Sequence, residues 1–387
     1  MSWALTPLTE EQKAIQQVAR EFAAAEIAPH SVAWDRDAYF EPSLVGKLGA
    51  LGFLGMMIPE EFDGMGLDTF TYVVALEEIA IVDASVAVML SVHNSLPTQM
   101  LLKWGTPEQK ERFLKPMARG ELLGAFALSE PEAGSDAASL RTQAVRDGND
   151  WILNGTKAWV SAGTKGDVIL AMARTDSPDD RRGARGISTF IITPDMPGFS
   201  VGKKEDKMGL RASPTVQLHF SDMRVPADRL LGDVGSGFIY AMQSLDNGRL
   251  GIAAQSVGIG EAALRAAAAY AAERKQFGKP IKEFQAVQFM LADMATRVAS
   301  SRALLHAAAT AKDRGERITQ FSSMAKLQAS EAAMWVTTQA IQIFGGYGYV
   351  KDYPVERLFR DAKVTEIYEG TSEIQRIVIA RELYSHT

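Results

Sequence analysis

The feature that most constrains this chain is a change of periodicity in its middle. Between Leu122 and Val234 the turn signals crowd together: Asp147-Gly148, Asn154-Gly155, Gly163, Gly166 and Gly198. Short β-prone runs lie between them, among them Trp151-Ile152-Leu153, Val168-Ile169-Leu170, Thr189-Phe190-Ile191-Ile192 and Val216-Gln217-Leu218-His219-Phe220. Branched and aromatic runs bounded by turn residues predict strands, and Asn154-Gly155 between two runs predicts a hairpin. On either side the pattern is helical. Thr9 and Gln12 form a capping-box pair ahead of Ile15, Val18 and Phe22, which share one helical face, and Pro29 should end that helix. Thr106, Pro107 and Gln109 repeat the cap with a proline at the first helical position. From about Gly235 long helical stretches return: Ala262 to Arg274, Phe284 to Ala311 and Ser322 to Phe344, punctuated by Pro280 and Gly345-Gly346. The expectation is an α+β chain in three parts: helical over 1–121, β over 122–234 and helical over 235–387.

Composition narrows the chemistry. The 387 residues are 47% hydrophobic and 23% charged, an ordinary globular balance for two or three domains. A net charge of −6 gives no electrostatic reason to expect nucleic acid or an anionic membrane as partner. No apolar run is long enough to span a bilayer. Met1-Ser2-Trp3-Ala4 lacks a basic segment followed by an apolar one, so a cytoplasmic rather than secreted protein is expected. Cysteine is absent, which excludes disulfides, thiolate metal sites and thiol nucleophiles. His30, His93, His219, His306 and His386 show no metal-ligand spacing, so no metal is expected. Difficult chemistry then falls to carboxylates, hydroxyls or a bound organic cofactor.

Five segments carry candidate chemistry, and each has a plain structural reading beside the functional one. Phe126-Ala127-Leu128-Ser129-Glu130 through Gly134-Ser135-Asp136 could bring backbone amides close to a ligand, or be an ordinary Ser/Gly/Asp loop. In Lys157-Ala158-Trp159-Val160-Ser161, strand alternation would put an indole and a hydroxyl on one face, suited to a flat heteroaromatic ring, or the tryptophan could be core. Glu273 to Pro280, with Arg274, Gln276 and Phe277, offers cations for a phosphate, or simply matches a helix C-terminus to its dipole. Gln342-Ile343-Phe344-Gly345-Gly346-Tyr347-Gly348-Tyr349 has more glycine than one helix cap requires, which suggests close backbone approach to another molecule or subunit. In Tyr368-Glu369-Gly370-Thr371, a glutamate among apolar residues is a candidate buried base, or an exposed residue before a helix capped by Thr371 or Ser372. Gly258-Ile259-Gly260-Glu261-Ala262-Ala263 fits a relaxed dinucleotide pattern but has no preceding strand, so it is set aside.

The order and spacing of these five segments resemble the acyl-CoA dehydrogenase family from end to end. The resemblance implies an N-terminal helical domain, a middle β-barrel-like domain and a C-terminal four-helix bundle. It implies FAD as cofactor, with Phe126, Leu128, Ser129, Trp159 and Ser161 around the flavin ring and Gly134 and Val160 at matching positions. It places Arg274, Gln276, Phe277 and Gln285 at the pyrophosphate and adenosine of a neighbouring subunit's FAD. Gln342, Gly345 and Gly346 would line the same cofactor across the interface, and Thr371 and Glu373 would reach its diphosphate or ribose. Ser135, Asp246, Arg249 and Gly370 match substrate-binding positions. The family assembles as a homotetramer, a dimer of dimers, and passes electrons to an electron-transferring flavoprotein.

The catalytic base varies within the family, and a minority carries it at the position of Gly248, which has no side chain to serve. Glu369 is therefore the expected base, removing the proton alpha to an acyl-CoA thioester while the beta hydrogen leaves as hydride to flavin N5. The enolate oxygen would be held by the Glu369 N–H and a flavin hydroxyl. The product is a trans-2-enoyl-CoA. Leu245-Asp246-Asn247-Gly248-Arg249 looks most like short-chain members. Leu90 to Leu96, Tyr347 and Tyr349 are candidates to shape the acyl pocket. An acyl-CoA oxidase or a non-catalytic acyl-CoA-binding flavoprotein are the alternatives.

Overall fold

Both predicted capping boxes form: the Thr9 and Thr106 hydroxyls accept from the Gln12 and Gln109 N–H groups while each glutamine side chain returns to the cap backbone. The computed structural model describes residues 6–177 and 183–384; Met1 to Ala4 and His386 lie outside the described residues. The N-terminal helices are α1 Glu10–Phe22, α2 Ser31–Asp37, α3 Ser43–Ala50, α4 Thr69–Val82, α5 Ala84–Ser95, α6 Pro97–Trp104, α7 Pro107–Gln109 and α8 Lys115–Ala118. On α1 the inward face is Ile15, Ala19 and Phe22; Val18, expected there, is 37% exposed, because it sits about 100° of helical rotation from Ala19.

The strands are β1 Gly124–Ala127, β2 Gln143–Asp147, β3 Asp150–Ser161, β4 Val168–Arg174, β5 Ile187–Ile192, β6 Phe199–Lys204, β7 Thr215–Val225 and β8 Leu230–Leu231. They form one eight-stranded sheet in the order β6-β7-β3-β2-β4-β5-β8, with β1 parallel on β4. The expected hairpin at Asn154-Gly155 is not there. The turn falls at Gly148-Asn149, where Asp147 pairs with Asp150, and β3 runs straight through Gly155 with a bulge against β7. Gly155 is needed for closeness instead: a Cβ there would lie 2.4 Å from Thr142 Oγ1. Asn154 bonds Asp222 on β7 rather than turning the chain.

The C-terminal part holds α9 Gly237–Glu273, a small hairpin of β9 Lys275–Gln276 and β10 Lys279–Pro280, then α10 Gln285–Asp313, α11 Thr319–Phe344, α12 Val355–Thr365 and α13 Ser372–Tyr384. Helices α9, α10 and α11 pack on one another, α12 and α13 lie against α11, and α4 and α5 cover α9. Residues 69–80 of α4 and all of α5 are buried, as expected of core helices that are apolar all round. The set-aside glycine motif is a helix crossing: a Cβ on Gly258 would lie 2.6 Å from Ala80 of α4. Beside it Arg302 of α10 bonds Glu77 at 2.6 Å and Glu261 at 2.9 Å, a buried ion triad tying α4, α9 and α10 together. Buried His93 of α5 accepts from the Gly124 N–H at 3.0 Å and reaches the Leu54 carbonyl at 3.0 Å, fixing β1 to the helices. Burial pushes its pKa down to about 4, so it stays neutral. Among the described residues no helix is long and apolar enough to cross a membrane.

Candidate active site

The chain leaves α12, turns at residues 366–371 and enters α13, and Glu369 sits on that turn with φ 51° beside Gly370 at φ 94°. Left-handed backbone at a glutamate is uncommon and needs support from outside the turn. Lys326 of α11 donates to the Gly370 carbonyl at 2.7 Å, and the Gln375 amide of α13 donates to the Gly370 and Glu369 carbonyls at 2.9 and 3.2 Å. Thr371 caps α13 by accepting from the Ile374 N–H at 3.3 Å. The backbone is thereby pinned while the side chain is left unbonded.

The Glu369 residue is half-buried, but the exposure is all backbone and stem: both carboxylate oxygens are inaccessible and have no hydrogen-bond partner. Burial raises the carboxyl pKa to about 7, against the pull of Lys326 and Arg249. The carboxylate lies against α9, where a Cβ on Gly248 would come within 2.0 Å of Oε2 and 3.2 Å of Leu96 Cδ2. Leu96 therefore lies beside the Glu369 carboxylate. Tyr347 and Tyr349 do not: Tyr347 faces the Arg274 concavity described below and Tyr349 is 88% exposed. Tyr72 of α4 and Ser91 of α5 bring buried hydroxyls to the same region, packed over Gly251, and Tyr368 bonds Gln255. Arg249 is buried and bonds Asp246 at 2.5 Å, while Asp246 accepts from the Thr319 hydroxyl at 2.7 Å. Asp246 also borders a cleft of about 430 Å³ with Lys103, Lys312 and Arg317.

On the sheet side, Trp159 stands 61% exposed in left-handed backbone. Simple strand alternation does not put it there, because β3 is bulged between Lys157 and Val160. The bulge turns the indole off the sheet core while Val160 is buried in it, so Val160 offers only backbone to a ligand. The Ala158 N–H donates to the Ser129 carbonyl at 2.9 Å, which brings Phe126 to Ser129 alongside Trp159 and Ser161. Behind them fully buried Lys157 donates to Glu130 at 2.8 Å and to the Leu128 carbonyl at 3.1 Å. Leu128 is buried; Gly134 and Ser135 are exposed on the following loop.

A third region gathers Arg274, Gln276, Gly345 and Gly346 around a concavity of about 770 Å³ on the bundle surface, with the Arg274 guanidinium over the Tyr347 ring. A Cβ on Gly345 or Gly346 would meet nothing within 4 Å, so their backbone is open to an incoming molecule. Phe277, at the tip of the β9–β10 hairpin, is 93% exposed. Gln285, Gln342 and Glu373 are exposed as well. An exposed indole beside hydroxyls, and a glycine-faced, aromatic-walled concavity that carries Arg274 and Asp352, fit a flat ring and an extended polar tail.

Sequence reasoning missed Lys326, Gln375, Tyr72, Ser91 and the Lys157–Glu130 pair. Only the lysines left a trace, as charges inside otherwise apolar helical or strand patterns.

Helices flanking a sheet, with a partnerless buried carboxylate at the end of the helical bundle and an open, ligand-sized face beside the sheet, define a site able to accept a proton next to a bound molecule. Three family models cover nearly the whole chain: the acyl-CoA dehydrogenase N-terminal domain matches residues 9–121, the middle domain 125–223 and the C-terminal domain 235–384. The chain belongs to the acyl-CoA dehydrogenase family. It is 48% identical to the mitochondrial short-chain specific acyl-CoA dehydrogenase of Bos taurus over 376 residues, 97% of this chain and 90% of that one. The solved structure of butyryl-CoA dehydrogenase from Megasphaera elsdenii matches with a TM-score of 0.95 at 43% identity, covering 98% of this chain and 99% of that one. A glutaryl-CoA dehydrogenase from Mycobacterium smegmatis, solved in complex with FADH2, matches with a TM-score of 0.92 at 30% identity, covering 98% and 95%.

Proposed function

We propose that this protein is an FAD-dependent dehydrogenase of short- to medium-chain acyl-CoA thioesters, with Glu369 as the base that removes the alpha proton. The observation that carries this is the carboxylate itself: buried, unpaired and raised to about 7, it is poised to accept a proton near neutral pH. An ordinary surface glutamate, with a pKa near 4.3, would be too weak a base for so weak an acid. The pinned carbonyls of Glu369 and Gly370 hold the carboxylate against Gly248, where the absence of a side chain leaves room for the carboxylate itself. Arg249 and Lys326 oppose the desolvation of Glu369, which favours the charged base and the developing negative charge of an enolate.

Trp159, Ser161, Phe126, Leu128 and Ser129 would hold the flavin ring, with Gly134 and the Val160 backbone at its margin. Arg274, Gln276, Phe277, Gln285, Gln342, Gly345 and Gly346 would hold the adenosine diphosphate end, with Thr371 and Glu373 between. A bound flavin supplies the acceptor for the hydride that leaves the beta carbon. Asp246, Arg249, Ser135 and Gly370 would line the thioester and coenzyme A path, which the cationic cleft at Lys312 and Arg317 extends. The exposure of Arg274, Phe277, Gly345 and Gly346 supports their completion by a second subunit, so a homotetramer is proposed, in the cytoplasm, with an electron-transferring flavoprotein as acceptor. The working division of the chain is 1–121, 122–234 and 235–387, supported by the element boundaries.

The test is anaerobic mixing of the FAD-loaded enzyme with butyryl-CoA while the oxidised flavin band is followed. Glu369→Gln should bind flavin and ligand but reduce it slower by about 10²–10⁴-fold. Rapid bleaching in that variant would exclude Glu369 as the base.

A further inference from the structure

Lys326 is a charged side chain with no exposed surface, on a helix otherwise packed with small and apolar residues. Burying an ammonium without a carboxylate partner is costly, and the cost calls for a compensating role. Among the described residues no carboxylate stands within 4 Å of it; its bonded partner is the Gly370 carbonyl, at 2.7 Å. If fastening α11 to the turn were the whole task, a neutral donor would suffice, and Gln375 already donates to that same carbonyl at 2.9 Å. The charge is therefore in excess of what the backbone needs. The acidic group that acts on it most strongly is Glu369, with Glu366 and Glu373 behind.

We infer that Lys326 is a positioning residue for proton transfer: its buried ammonium locks the Glu369–Gly370 turn through the Gly370 carbonyl and stabilises the ionised form of the adjoining Glu369 carboxylate. The inference rests on Glu369 being the base. The groups facing that carboxylate are Lys326 from α11, Arg249 from α9 with Asp246 attached to it, the Tyr72 hydroxyl from α4 and the neighbouring Tyr368. Two cations thus oppose the desolvation that raises Glu369. Arg249 is already bonded to Asp246 at 2.5 Å, which offsets part of its charge. Lys326 has no such bond, so its charge acts on the base less diluted. The sign follows: a nearby cation lowers a carboxyl pKa, so removing it moves the base upward, protonating it at working pH.

Lys326→Gln keeps a hydrogen-bond donor and removes the charge; Lys326→Arg keeps the charge. For the FAD-loaded enzyme, the acid limb of the flavin-reduction rate should move up by about one pH unit in Lys326→Gln. It should stay near the wild-type position in Lys326→Arg, and Gln375→Met, which removes a neutral donor to the same carbonyls, should lower the rate without moving the limb. An unmoved limb in Lys326→Gln, with Glu369→Gln inactive, overturns the electrostatic role and leaves the base intact. Fast flavin reduction in Glu369→Gln overturns the base and this role with it. A second measurement needs no substitution at Lys326: NMR of enzyme labelled at the lysine side-chain carbons should show Lys326 losing its proton at lower pH in Glu369→Gln than in wild type. An unchanged Lys326 titration there also overturns the coupling.

Discussion

The two halves of the site are built in opposite ways. At the proposed base, everything is enclosed by one chain: Glu369, Arg249, Lys326 and Gln375 come from α9, α11, α13 and the turn before it, and the carboxylate oxygens have almost no access to water. At the proposed cofactor face the residues stand open, with Trp159 61% and Phe277 93% exposed and Gly345 and Gly346 facing empty space. The contrast separates two physical tasks. Tuning a base requires desolvation and fixed charges, which a single helical bundle can supply in advance. Gripping a long cofactor requires surface that stays free until the ligand, and on our proposal a second subunit, arrives.

Substitutions can break this contrast, and the largest effect should fall in the enclosed half. Gly248→Ala would put a methyl 2.0 Å from the base oxygen, and the carboxylate must move. Misplacement of that order should slow flavin reduction by about 10²-fold, with FAD content unchanged. Steady-state absorbance and stopped-flow traces on one preparation check both halves of that statement. On the open half, Trp159→Ala should raise the FAD dissociation constant roughly tenfold, in line with about 0.5–1.5 kcal/mol for a lost aromatic contact. Its melting temperature without FAD should barely move, since an exposed side chain carries little of the fold. Phe277→Ser should be milder still, raising the FAD dissociation constant by about two- to threefold and leaving the acid limb of the reaction in place. A fall in apo-protein stability of about 2 kcal/mol or more in either variant would show that the open face belongs to the core after all.

The same contrast explains what could be read from the sequence. The helical–sheet–helical order, the caps at Thr9 and Thr106 and the long C-terminal helices were legible, because each is written in local spacing. The hairpin at Asn154-Gly155 was misread for the same reason: the dipeptide is a turn signal locally, but β7 pairs across it and Thr142 crowds Gly155. Trp159 was found, yet the bulge that exposes it depends on β7 and leaves no mark in the β3 sequence. Glu369 was picked out through the family pattern, and its carboxylate oxygens are buried. Lys326, Gln375, Tyr72 and Ser91 were not, since they meet at the base from α11, α13, α4 and α5, and no local pattern records such a meeting.

The central claim is that Glu369 is a desolvated base whose pKa lies about 7 rather than in the usual carboxylate range. Activity needs the ionised form, so the rate should fall as pH drops through that value and level off above it. The direct measurement is the pH dependence of kcat/KM for butyryl-CoA in the wild-type enzyme, which reports the free protein. A limb near pH 7, falling about tenfold per pH unit below it, is the predicted result. A rate still at its plateau at pH 5 would contradict the account.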